Sequence, residues 1–356
     1  MSERLLKLRQ KLAEKELDGI LISQPENRRY LSGFDGSAGL LLITGSESLL
    51  ATDFRYTAQA RGQSPDFQVV QTKGELQEWF PGLVSYPKLR RLGFEAEHLS
   101  FATHQRMIEA AKAQSSQIQF VPVQDLVEQI RAIKEARELE LIAEAVKLAD
   151  QALEHISNFI RPGMKEKEVS GEVERFLREN GSESLPFETI VASGPRSALP
   201  HAKPTERPIQ TGEPIVVDIG ARLEGYCSDL TRTFCLGDAD STFARVYDIV
   251  LGAQFVALAT LEAGMSGEQA DRLARTVIEE AGYGTDFGHS LGHGVGLAPH
   301  EEPRLAPKAS GKLSDSMVFT IEPGIYIVGW GGVRIEDMVV LEKGKPRLLS
   351  QVPKIR

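Results

Sequence analysis

The chain is poor in cysteine, tryptophan and methionine, with two, two and six of each among 356 residues. Two thiols, Cys227 and Cys235, cannot build a disulfide framework, which excludes a small stapled secreted scaffold. No segment approaches the roughly 18–20 continuous apolar residues that span a bilayer. The N-terminus mixes apolar and charged residues at helical spacing and lacks the apolar core of a secretory signal. Positive charge is in deficit: the net charge is −9, and no long run of like charges occurs. A nucleic-acid surface needs a basic face to displace counterions, so nucleic acid is not an expected partner. These absences lead to the expectation of a cytoplasmic protein with free thiols and no membrane segment.

What is present is ordinary globular composition, 41% hydrophobic and 26% charged, in a chain long enough for two domains. The first part alternates helix and strand patterns. Arg4 to Leu17 is amphipathic, and Gly19 to Ile22, Gly39 to Thr44, Ser48 to Thr52, Val69-Val70, Leu92 to Phe94 and Ile118 to Val121 read as strands. Phe101 to Ala113 reads as a helix. Near Pro122 the pattern changes, and a connector over Asp125 to Lys134 leads into a long helix, Ala136 to Phe159, stopped by Arg161-Pro162-Gly163. Further helices are expected over Glu166 to Asn180, Phe243 to Leu261 and Ser266 to Ala281. The expected division is an α/β domain over 1–123 and a second α/β domain over 124–356. The second domain echoes itself. Ile215 to Gly220 is an apolar strand bearing Asp218, followed by a turn and a return carrying Asp229; Val318 to Gly324 bears Glu322, followed by a return carrying Glu336. Two helical stretches precede each unit, so two similar halves facing each other would bring both hairpins to one place.

An ionised carboxylate inside an apolar strand costs several kcal/mol unless something neutralises it. For any one of the four, an ordinary partner cation or an exposed edge is the simpler account. Arg232 and Arg334 lie near Asp229 and Glu336, but Asp218 and Glu322 have no basic neighbour in sequence. One metal centre satisfies all four. Three of the seven histidines, His289, His293 and His300, fall close together in a glycine-rich stretch. The glycines of Gly288 to Gly296 cost a helix about 1 kcal/mol each, so a strand or tight loop is expected rather than a helical histidine pair. His293, with glycine on both sides, is the natural ligand. One imidazole with four carboxylates suits Mn²⁺, with Co²⁺, Fe²⁺ or Zn²⁺ as substitutes, and two divalent ions neutralise four carboxylates. Two such ions sharing a water lower its pKa and present hydroxide to a carbonyl, which defines an amide or ester hydrolase. His98, His104 and His155 sit in helical or connector contexts and read as packing or surface residues.

At these residues the chain resembles the Xaa-Pro peptidases, aminopeptidase P and prolidase of the pita-bread metallopeptidase family. The resemblance is carried by Ile190 to His201 (IVASGPRSALPH), Val217 to Phe234 (VDIGARLEGYCSDLTRTF), Gly288 to Glu302 (GHSLGHGVGLAPHEE) and Thr320 to Asp337 (TIEPGIYIVGWGGVRIED). It extends more weakly to the first domain, through Thr52 to Tyr56. It implies a C-terminal pita-bread catalytic domain with pseudo-twofold halves and a smaller creatinase-like α/β domain that serves dimerisation or substrate gating. Transferred by position, Asp218 chelates one metal, Asp229 and Glu336 bridge both, and His293 and Glu322 complete the second site. Glu322 also accepts the proton of the attacking water. His201 and His300 match histidines that contact substrate and steady the tetrahedral intermediate, and His289 matches one lining the proline pocket. Arg334 matches an arginine that pairs with a metal-bound carboxylate, and Tyr326 a nearby tyrosine. Arg55 is the candidate cation for the substrate's carboxylate or for a contact across a dimer interface. Ala298-Pro299 replaces the bulkier or acidic pair often found before the histidine. Cys227, two residues from Asp229, would share its face on a regular strand and make the site sensitive to oxidation.

The implied substrates are small peptides with proline in second position, and the implied assembly is a homodimer. An Xaa-Pro bond is a tertiary amide without an N–H, which a peptidase dependent on that donor cannot grip. Three other readings compete. A methionine aminopeptidase shares the fold and the ligand types, but the Ser-Ala-Leu-Pro-His stretch and the N-terminal domain favour the Xaa-Pro branch. A non-catalytic pita-bread binding module would show broken ligands, and creatinase-like chemistry needs no metal; the intact ligand set argues against both.

Overall fold

A computed structural model describes residues 2–85, 89–113 and 117–354. The chain forms two compact units, Met1–Arg131 and Ala132–Arg356. The division falls beyond the position near residue 123 expected from the sequence, because the connector packs on the first unit. There Asn27 Nδ2 donates to Glu128 Oε1, and Arg131 Nη1 donates to Asn27 Oδ1 at 2.8 Å.

The first unit is a six-stranded sheet in the order Gln68–Gln71, Ser48–Thr52, Leu40–Thr44, Gly19–Ile22, Arg91–Glu95, Gln119–Val123. Gly19–Ile22 and Leu40–Thr44 are buried throughout, as continuous apolar runs require. Short helices over Pro25–Ser32, Thr57–Gln63 and Leu76–Leu83 were not legible from periodicity. The first carried a signal all the same: proline opens it, and Gly33 closes it in the left-handed region at φ 79°.

The second unit is built twice over on one plan. In the first half, helices Ala136–Phe159 and Glu166–Glu179 back the sheet Leu230–Cys235, Pro214–Ile219, Ile190–Ser193. Glu135 and Glu138 cap the long helix reciprocally, and its stripe Leu141, Ala145, Leu148, Ala152 and Ile156 is buried. In the second half, helices Ser241–Thr260 and Gly267–Glu280 back the sheet Glu301–Leu305, Gly292–Gly294, Val318–Ile321, Asp337–Glu342, Lys345–Leu348. Each half has its own apolar cluster, and each large aliphatic side chain fully buried there contributes roughly 1.5–3 kcal/mol.

Among the described residues one helix, Ser241–Thr260, is long and apolar enough to cross a bilayer by length and composition. It is the helix expected over Phe243 to Leu261, and Arg245, Asp248 and Gln254 break its apolar run. Its Phe243, Val246, Tyr247, Val250 and Ala257 pack into the second apolar cluster. The halves are stitched together between strands: Thr233 Oγ1 donates to the Arg334 carbonyl at 2.8 Å, and the Glu336 N–H donates to the Thr231 carbonyl at 3.1 Å. That seam is where the carboxylates meet.

Candidate metal centre

Asp218 lies inside strand Pro214–Ile219, paired in register with Thr231. Asp229 immediately precedes the return strand Leu230–Cys235, Glu322 immediately follows Val318–Ile321, and Glu336 lies between Gly331–Arg334 and Asp337–Glu342. The stretch around His289 and His293 is not helical: Gly292–Gly294 is a short strand wedged between Glu301–Leu305 and Val318–Ile321. Its glycines are required by close approach. A Cβ on Gly292 would collide with the Thr320 carbonyl, and one on Gly294 with the Glu302 carbonyl.

Ligand atoms of Asp218, Asp229 and Glu336 lie within 4.8 Å of one another, as do those of His293, Glu322 and Glu336, and those of Asp229, His293 and His300. Glu336, Asp229 and His293 each belong to two of these groups. His293 Nδ1 faces the Gly294 carbonyl at 3.1 Å, so that nitrogen carries the proton. Nε2 faces Glu322 Oε1 at 3.2 Å and Asp229 Oδ2 at 3.6 Å, and it is the nitrogen that a cation would take in exchange for a proton. An imidazole anchored through its other nitrogen is the usual arrangement of a metal-binding histidine.

Two threonines orient the carboxylates, and sequence reasoning missed both. Thr231 Oγ1 donates to Glu336 Oε2 at 2.7 Å. Thr320 Oγ1 donates to Glu322 Oε1 at 3.0 Å and accepts from the His293 N–H at 3.1 Å. The signal was available, since Thr231 stands two residues after Asp229 and Thr320 two before Glu322, the spacing of one strand face. The arginines do not serve their sequence neighbours. Arg334 Nη2 donates to Asp218 Oδ2 at 2.6 Å, while Arg232 Nη2 donates to Asp337 Oδ1 at 2.7 Å. Asp218 thus has a cation that sequence proximity did not reveal.

Arg334 also donates to Tyr326 Oη at 2.8 Å, and that hydroxyl meets His289 Nε2 at 2.9 Å. His289 Nδ1 faces the Ser290 carbonyl at 2.8 Å. The consistent assignment has Nδ1–H donating to Ser290 and Tyr326 donating to Nε2, which makes His289 a neutral ring. Burial lowers its pKa in the same direction. Burial also drives the Tyr326 hydroxyl up to about 12, so it stays a proton donor.

Burial, and then repulsion from Glu336 and Asp218, hold the Asp229 carboxyl well above its ordinary range. Burial, and then Glu322 and Asp218, do the same to Glu336. Asp218 is raised by burial against the pull of Arg334. Glu322 goes the other way: despite burial, its bond to His293 brings it down to about 2. Asp218 Oδ1 is buried with no hydrogen-bond partner among the described residues. Carboxylates that repel one another, an orphaned oxygen and an imidazole nitrogen aimed at them fit divalent cations and fit little else.

Asp218, Asp229, Glu322, Glu336, Arg334 and the histidines 201, 289, 293 and 300 line one cavity of about 390 Å³, with Phe187, Ile190, Pro200 and Ala202 as its apolar wall. His300 is exposed, its ring 4.2 Å from that of His293. His201 is exposed on the loop after Gly194–Ala198. Glu166 holds that loop: its carboxylate accepts from Ser193 N, Arg196 Nε and Thr205 N, on both flanks of the histidine. Arg55 lies in the first unit, exposed, with its guanidinium forked onto Asp53. The other histidines pack elsewhere, His104 on Phe94 and His155 on Phe176. Cys227 and Cys235 are free thiols, not a bridge. Cys227 is fully buried with Sγ toward the Leu297 carbonyl, so it does not share the cavity face with Asp229, which corrects the oxidation expectation.

Residues 140–343 match the model of metallopeptidase family M24, and residues 4–133 that of the creatinase/prolidase N-terminal domain. An uncharacterized peptidase of Bacillus subtilis, YqhT, is 41% identical over 351 residues, covering 99% of this chain and 98% of its own length. The solved Xaa-Pro dipeptidase from Bacillus anthracis superimposes with a TM-score of 0.95 at 42% identity, over 99% of this chain and 98% of that one. The X-Pro aminopeptidase from Thermotoga maritima gives 0.86 at 38% identity, over 96% and 98%.

Proposed function

The chain belongs to metallopeptidase family M24, and we propose that within it the protein is an exopeptidase that hydrolyses the Xaa-Pro bond at peptide N-termini with two divalent ions, Mn²⁺ by preference. The observation that carries this reading is the meeting of Asp218, Asp229, Glu336, Glu322 and His293 in one cavity with three further histidines. The M24 relatives include both an Xaa-Pro dipeptidase and an X-Pro aminopeptidase along nearly their full length.

Asp218, Asp229 and Glu336 would hold one ion, and Glu336, Asp229, His293 and Glu322 the other. Bound there, divalent ions supply a water of lowered pKa and polarise the scissile carbonyl. Glu322, aimed by Thr320, takes the proton of the attacking water. His201 and His300 donate to the oxygen on which negative charge develops. His289, both nitrogens engaged by Ser290 and Tyr326, presents an uncharged ring edge to the prolyl ring. Arg334 holds Asp218 and Tyr326 in register. The free α-amino group of the peptide finds a surplus of carboxylates. A homodimer in the reducing cytoplasm completes the proposal, in keeping with two free thiols.

The deciding experiment offers Ala-Pro, Ala-Pro-Ala and Met-Ala-Ala to the Mn²⁺-loaded protein in one tube and follows products by mass spectrometry. Alanine is expected from the proline peptides, with Met-Ala-Ala untouched. Cleavage of Met-Ala-Ala alone would hand the reading to a methionine aminopeptidase. If Arg55 captures the carboxylate beyond proline, Arg55→Ala slows Ala-Pro more than Ala-Pro-Ala; equal losses would remove Arg55 from the site.

A further inference from the structure

His300 carries a role in the reading above, yet its imidazole is exposed and the segment bearing it, Leu297 to His300, belongs to no helix or strand. Its position is fixed from beside it. Glu301, the next residue, opens strand Glu301–Leu305 and pairs in register with Gly294. Its carboxylate folds back: Oε2 accepts from the Ala298 N–H at 3.3 Å, and Oε1 accepts from Lys134 Nζ at 2.7 Å. One carboxylate therefore ties the backbone at Ala298, two residues before His300, to Lys134, while the Glu301 backbone is fixed in its strand on the other side. Gly296 makes this possible, because a Cβ there would occupy the space of the Glu301 carboxylate.

Lys134 is itself held at both ends. Its N–H donates to the Ser316 carbonyl at 2.9 Å, its Nζ also reaches the Ala132 carbonyl at 3.4 Å, and its neighbour Ile133 bridges to Met317. The side chains of Lys134 and Glu301 are only 1% and 5% exposed. A pair so buried loses in desolvation much of what it gains in attraction, and apolar residues of the same volume would pack there at least as well. What the ion pair supplies and an apolar pair cannot is a directed hold on a short backbone segment.

We infer that Lys134 is a positioning residue for the reaction, setting the place of His300 through the Glu301 carboxylate. The inference rests on the proposed role of His300. Displacing a reacting group by about 1 Å costs about 10²-fold in rate, and a group that acts in the transition state shows its loss in kcat rather than KM.

The test is a double-mutant cycle on the full-length, metal-loaded protein with Ala-Pro. Lys134→Met is expected to lower kcat by about 10²-fold with KM nearly unchanged. In a His300→Ala background, already slow, the same change is expected to cost less than about 2-fold, because the route it acts through is gone. The paired variant K134M/E301L leaves no charge buried alone, so its Tm is expected to recover while its kcat stays low. Equal losses in both backgrounds, or a kcat that recovers with Tm in the paired variant, would overturn the inference and leave the His300 role standing. A His300→Ala protein as active as the wild type would end that role and the inference together.

Discussion

A Glu336→Gln protein is expected to fold and to lose at least about 10³-fold in kcat/KM, about 4 kcal/mol of transition-state stabilisation. Glu336 is shared between the group it forms with Asp218 and Asp229 and the group it forms with His293 and Glu322. Removing its charge weakens the hold on cations in both, whereas a change at Asp218 touches only one. The fold should tolerate it. Without bound ions the Glu336 carboxyl is pushed toward its neutral form by burial, Glu322 and Asp218, and glutamine has the shape of that neutral acid. The Thr231 hydroxyl still finds an amide oxygen where it found Oε2. The metal-free variant should therefore melt no lower than the metal-free wild type at pH 8, while elemental analysis finds fewer than two ions per chain. A variant that keeps two ions and the wild-type rate would remove Glu336 from the centre.

The carboxylates were legible in the sequence for the reason that makes them reactive in the structure. An acidic residue within an apolar run, such as Asp218 in PIVVDI, has to be compensated, and four such residues with a glycine-flanked histidine leave few ways of doing it. The helices of the second unit were legible because their apolar stripes and stops, such as Arg161-Pro162-Gly163, are local. What was not legible is which cation serves which anion. Arg334 stands two residues from Glu336 but reaches Asp218, and Lys134 meets Glu301 across most of the second unit. Such pairings are set by tertiary packing, and no window of sequence contains them. The threonines fall between these cases: their spacing was visible, but their purpose depends on where Glu336 and Glu322 point. The boundary near 123 missed for a similar reason, since the end of strand Gln119–Val123 is a local signal and the docking of Glu128–Arg131 is not.

Stripping the protein with a chelator is expected to abolish turnover and to reverse the way stability depends on pH. Asp229 and Glu336 have folded-state pKa values raised above their ordinary 3.8 and 4.5. A carboxyl raised in this way stabilises the fold fully below the unfolded pKa, and that contribution is lost as pH rises through the folded one. His293 acts with the same sign. Burial opposes its proton, but the bond to Glu322 prevails and lifts it above 6.5, so its contribution too is lost on raising the pH. Glu322, brought down to about 2, has the opposite sign, but its contribution is lost only as pH falls below 4.5 toward 2. Above pH 4.5 the metal-free protein should therefore become less stable as pH rises, by about 1.4 kcal/mol per pH unit for each group then titrating. For a unit of this size that is a Tm falling by about 3–5 °C per pH unit. The loaded protein should do the reverse, because ions bind only the deprotonated ligands and take hold more firmly as protons leave. Calorimetric titration of Mn²⁺ into the stripped protein should accordingly release protons, seen as a binding heat that changes with the ionisation enthalpy of the buffer. A metal-free Tm that rises or stays level between pH 5 and 8, or a binding heat independent of buffer, would mean that the carboxylates are compensated from within the chain and that the cavity was not built around cations.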